Sequence, residues 1–92
     1  MDSAAARERV RINMELQMRC LEDIEELKAE AADLRALNVY WTALQLRLPR
    51  RIVRRYVADR TVDISDRLAL LEPHLVWLRQ MHSAWIHSAA IV

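Results

Sequence analysis

The sequence predicts an all-α chain: a long helical hairpin of three helices in long, short, long order, coiled-coil-like, that completes a bundle by oligomerisation. Three observations predict it. The 92 residues include no Gly and no Phe while 53% are hydrophobic, so turn-forming residues are scarce and helix formers dominate. Apolar residues recur at steps of three and four through two long stretches, the spacing that holds a stripe on one side of a supercoiled helix. Only two prolines occur, Pro49 and Pro73, and the first divides the chain nearly in half.

The first helix is expected over residues 4–48. Its stripe runs Val10, Met14, Met18, Leu21, Ile24, Leu27, Ala31, Leu34, Leu37, Trp41, Leu44 and Leu48. Asp2 or Ser3 is suited to cap its start, because a short side-chain oxygen accepts the unpaired N–H groups of a first turn. Asn38, Val39 and Thr42 are weaker helix formers, so a break near Asn38 is the one interruption this stretch allows.

Pro49 disfavours helical geometry for Leu48 and suits the start of a new helix, which places the turn of the hairpin there. A short helix over 50–60 follows, with Ile52, Val53, Tyr56 and Val57 on one side. Thr61 and Val62 are β-branched, and Asp63 or Ser65 is a suitable cap, so a second joint is expected at 61–65. The last helix then covers 64–92, kinked at Pro73 or starting there. Its stripe is Leu68, Leu71, Leu75, Leu78, His82, Trp85, Ala89 and Val92. Val39, Leu46, Leu70, Val76, Trp77, Met81, Ile86 and Ile91 fall beside the two stripes, making an apolar band wider than one two-helix contact buries. A single helical domain over 1–92 is the expected organisation.

From this pattern the helix–helix interface is expected to use Leu21, Ile24, Leu27, Leu34, Leu37, Trp41 and Leu44 on the first arm, and Leu68, Leu71, Leu75, Leu78 and Trp85 on the last. Charge adds a second feature. Glu22, Asp23, Glu25, Glu26, Glu30 and Asp33 form an acidic tract around Lys28; Arg47, Arg50, Arg51, Arg54, Arg55 and Arg60 form a basic one around Asp59. In a hairpin turned at Pro49 the two tracts do not face each other, which leaves Arg50, Arg51, Arg54 and Arg55 as a candidate contact tract for a partner.

The function expected is that of a structural or adaptor protein acting through helix–helix association, with itself or within a larger helical complex. Net charge of +1 argues against a polyanion binder as a whole, so a nucleic-acid-associated role through Arg47 to Arg60 is the alternative. No metal is expected: His82 and His87 point to different sides of a helix, and His74 stands two turns from His82. Cys20 lacks a neighbouring His or cation cluster to activate it, and as the sole cysteine it implies no internal disulfide. Trp41, Trp77 and Trp85, with Tyr40 and Tyr56, read as packing anchors without a cofactor pocket. The charged start and the absence of a long apolar run point to an intracellular chain, cytoplasmic or nuclear, outside any membrane.

The long, short, long order resembles the architecture of the small all-α chorismate mutases. By that resemblance Arg11, Lys28 and Arg51 would stand for the family's cations and Gln80 for its glutamine, but the family's Asp-x-x-Arg-Glu run is absent. The likeness extends to architecture alone, as does the possibility of an engineered helical scaffold, and no enzyme is expected.

Overall fold

A computed structural model describes residues 3–91, with side chains as far as residue 87. It holds three helices and, among the described residues, no strand: α1 (Ser3–Ala36), α2 (Val39–Leu46) and α3 (Arg50–Ile91). The order is long, short, long, as the sequence predicts, but the short helix is a different segment. Asp2, one of the two caps expected for the first helix, lies outside the described residues, as does Val92; Ala89 lies among those whose side chains are not described.

The first arm does not run to Leu48. It stops at Ala36, where Leu37 N donates to Leu34 O at 3.3 Å in a tightened last turn, and Asn38 leaves helical geometry (φ −86°, ψ 104°). Asn38 then caps α2. Its Oδ1 accepts Trp41 N at 3.0 Å while its carbonyl accepts Thr42 N at 3.0 Å. An Asn side chain that satisfies an orphan N–H offers the backbone an alternative to continued helix, and here it outweighs the apolar spacing that runs across it.

The end of α2 is closed by a left-handed residue, Arg47 at φ 55°, ψ 42°. Leu48 N reaches back to Ala43 O at 3.0 Å and Arg47 N to Leu44 O at 3.3 Å, satisfying carbonyls the helix would leave open. Glycine usually takes this position, and a chain without glycine accepts roughly 1–2 kcal/mol of strain at Arg47 instead. Pro49 follows and cannot continue a helix; its carbonyl accepts Ile52 N at 3.0 Å, which starts α3.

The joint expected at 61–65 is absent, and the expected helices over 50–60 and 64–92 are one helix. Thr61 turns its hydroxyl inward along the chain, donating to Val57 O at 2.7 Å, so it fits a helix it does not favour. Ile64 is buried, and that packing overrides weak local propensity. Pro73 also lies inside α3 rather than at its start. It removes the bond to the carbonyl of Ala69, and since Ala69 and Pro73 are both exposed, water can reach the acceptor left open.

The chain divides into two compact units. One combines α1 up to Ile24 with α3 from Leu70, and the other spans Glu25–Ala69. In the first, Asn13 meets Leu78 and Cys20 meets Leu71, so seven residues forward on α1 is seven backward on α3 and the helices are antiparallel. Its core is Asn13, Cys20, Ile24, Leu75 and Leu78. The second unit buries Leu27, Ala43, Val53 and Ile64, and Glu30 meets Arg60 across it.

Candidate functional site

Packing selects a face of each long helix, and the expected interface residues divide on it. Ile24, Leu27, Leu75 and Leu78 are buried; Leu34, Leu37, Leu68, Leu71 and Trp85 are half-buried. Leu21, Trp41 and Leu44 are exposed, Trp41 at 59% and Leu44 at 61%. On α2 the inward residue is Ala43 instead, because the break at Asn38 resets the helical phase that the continuous stripe assumed.

On α1 the buried line before Ile24 is displaced by one residue from the expected one. It runs Val10, Asn13, Gln17, Cys20, Ile24 and Leu27, still at steps of three and four, while Met14 and Met18 are exposed. Polar residues occupy it by satisfying one another. Asn13 is almost wholly buried, donates Nδ2 to Leu78 O at 3.1 Å, and accepts Gln17 Nε2 on Oδ1 at 2.6 Å. Cys20 Sγ donates to Leu71 O at 3.4 Å, and burial, with Asp23 adding to it, pushes the thiol pKa up, opposite to what a nucleophile requires. Asn13 and Gln17 were illegible to a search for apolar residues, although their heptad phase with Ile24 and Leu27 carried the signal. A buried Asn in such a seam restricts register, since other alignments would strand its amide.

The acidic and basic tracts were expected to stay apart, yet their ends meet. Arg60 donates Nε and Nη2 to the two oxygens of Glu30, the second at 2.9 Å. The turn is shared by α2 and the residues around it rather than placed at Pro49, which shifts the facing register and brings residue 60 to residue 30. The hydrogen bond from Arg60 holds the Glu30 carboxyl below the ordinary carboxylate range, with Arg67 assisting. A depressed carboxylate pKa contributes stability that is present above the unfolded-state value and lost as pH falls through the folded one. Glu30→Gln is therefore expected to melt below the parent at neutral pH and to converge with it in acid, below the usual carboxylate range. Melting curves across pH check this, and a constant gap down to full protonation would contradict it.

Elsewhere on α1, Arg11 is held by Glu8 and Glu15 of its own exposed surface, and its hydrogen bond keeps the Glu8 pKa low. Lys28, Arg51 and Gln80, the other residues matched to the mutase pattern, are all exposed. Arg50, Arg51, Arg54 and Arg55 are exposed too; Arg50 lies over the Tyr40 ring at 4.5 Å and Arg55 stands 3.9 Å from Asp59. A shallow depression beside them is lined by Tyr40, Ala43, Leu44, Arg47, Leu48, Pro49 and Arg50.

His74 stacks on Trp77 with ring centroids 5.8 Å apart. His82 is half-buried, with Nδ1 shielded and without a hydrogen-bond partner among the described residues, and His87 is exposed. Among the described residues no group of three metal-ligating side chains converges, and no helix is long and apolar enough to cross a membrane. No family model matches the chain, and neither a curated protein nor a solved structure matches it.

Proposed function

We propose that this chain is a structural or adaptor subunit that works by helix-to-helix association, with itself or inside a larger helical complex. The observation that carries the reading is the distribution of its apolar surface. Ile12, Met14, Leu16, Met18 and Leu21 on α1, and Leu70, Val76, Trp77 and Ile86 on α3, are exposed on the flanks of the buried line. Isolated exposed apolar residues are ordinary; rows of them along both flanks of a thin core mark surface that another helix covers. The core itself is small, with eight buried apolar residues among the described ones, so packing against further helices also adds the burial that small chains lack.

Light scattering tests this. At micromolar concentration the purified chain is expected to have at least twice the mass of one copy, dissociating on dilution together with loss of helix content. A fully helical monomer at that concentration overturns self-association, and one that stays soluble and monomeric at millimolar concentration overturns the reading.

A second reading rests on Arg50, Arg51 and Arg54, which are exposed and form no ion pair among the described residues. Such a row can grip phosphates. Binding to generic duplex DNA that weakens steeply with salt, and that Arg51→Glu with Arg54→Glu abolishes while association persists, favours this reading.

A further inference from the structure

The exposed flank of α1 in the first unit has an order of its own. Arg7, Arg11, Met14, Met18 and Leu21 follow one another at steps of four and three, and at 3.6 residues per turn they share a sector of about 80°, turned about 110° from the buried line. Met14, Met18 and Leu21 are 43%, 60% and 41% exposed. The spacing is that of a packing seam, and among the described residues nothing covers it.

The matching flank of α3 carries Glu72, Val76 and Arg79, all exposed, each one residue beyond the inward Leu71, Leu75 and Leu78. In an antiparallel pair, corresponding flanks lie on the same side. The contacts of Asn13 with Leu78 and of Cys20 with Leu71 set the register, and they bring Val76, 52% exposed, level with the interval between Met14 and Met18. Four apolar side chains therefore form one patch. The charges that form no ion pair among the described residues are polarised along the helix axis: Arg7 and Arg79 lie toward one end, Glu22 and Glu72 toward the other, while Arg11 is already paired with Glu8 and Glu15 of its own helix.

We propose that this patch is covered by the same patch of a second copy, related by a two-fold axis perpendicular to the helices and passing between Met14 and Met18. This inference rests on the association reading above and names its partner and geometry. The charges select the orientation. A parallel pairing would set Arg79 against Arg79 and Glu72 against Glu72, which costs energy at each contact. The antiparallel pairing sets Met14 of one copy against Met18 of the other and brings Arg11 to the Leu21–Glu22 end. On α3 it sets Arg79 against Glu72 of the other copy, because those residues stand three and four positions either side of Val76. One axis satisfies both helices, as an isologous interface requires, and the product is a four-helix arrangement that covers four apolar residues on each chain.

Single-cysteine chains test the register. In a Cys20→Ala background, Met14→Cys chains are mixed with mass-tagged Met18→Cys chains and oxidised with glutathione disulfide. The expected product is a dimer in which the mixed 14–18 disulfide outweighs both symmetrical ones. Separately, Arg79→Glu is expected to weaken dimerisation on the order of tenfold, and adding Glu72→Arg to the same chain is expected to restore it, since the pair is reformed with its signs exchanged. A dimer that favours the 14–14 disulfide, gives none, or is not restored by the exchange overturns this geometry and leaves helix association standing. A chain that is monomeric at micromolar concentration overturns this geometry and self-association, and one that stays monomeric at millimolar concentration overturns the association reading as well.

Discussion

Leu78→Asp is expected to unfold the chain or drive it into precipitate. Leu78 is 2% exposed, and its carbonyl also receives the buried Asn13 amide, so the side chain sits in the core of its unit. Truncating such a residue alone costs about 2–5 kcal/mol, and an unpaired carboxylate adds a desolvation cost to it. Against a total of roughly 5–15 kcal/mol for a whole domain, that loss leaves little native population. Gln80→Ala, two residues along and exposed, is expected to stay within about 0.5 kcal/mol of the parent. Thermal melts followed by circular dichroism compare the three, and equal midpoints would mean that the buried line of α3 does not run through Leu78.

Ile64→Ala is expected to cost about 2–5 kcal/mol, with the loss centred on the unit spanning Glu25–Ala69. The position discriminates between two descriptions of the chain. If residues 61–65 were a joint between helices, Ile64 would be partly solvated and its truncation would cost little. In the continuous α3 it is buried in line with Val53 and Leu75, and the cavity cannot be closed by a loop rearranging. Chemical denaturation with and without the substitution measures the difference. Val62→Ala, two residues away and exposed, is the comparison that isolates burial from helix propensity, and a loss as large for Val62→Ala as for Ile64→Ala would favour the joint.

Helical class was legible in the residues themselves. A chain without glycine, rich in Leu, Ala and Arg and spaced at threes and fours, has few other ways to bury its apolar groups. The long, short, long order was expected from a joint at 61–65, whereas the structure makes the short helix from Val39–Leu46, between Asn38 and Pro49. The stripe of the last arm was also legible. Leu75 and Leu78 are buried where the spacing put them, because the line from Leu68 to Leu78 is apolar throughout. Periodicity is a local property, and it fails where two phases are equally apolar or where the inward line is polar. On α1, Met14 and Met18 present a more hydrophobic stripe than Asn13, Gln17 and Cys20, yet the polar line is the buried one, because carbonyls of α3 and the neighbouring amides complete its hydrogen bonds.

By itself, then, the sequence determined that the chain is helical, that Pro49 interrupts the helix, and which line of α3 faces inward from Leu71 to Leu78, since each of these follows from backbone chemistry and apolar spacing within one segment. Tertiary structure alone decided the rest. It decided whether Asn38 or the stripe would win, because a capping bond competes with packing that is distant in sequence. It decided that Thr61 to Ser65 stay helical, because Ile64 has a buried place to fill. It decided the register that joins Glu30 to Arg60 and buries Asn13, because a polar group is accepted inside only when another helix, aligned to the residue, supplies its partner.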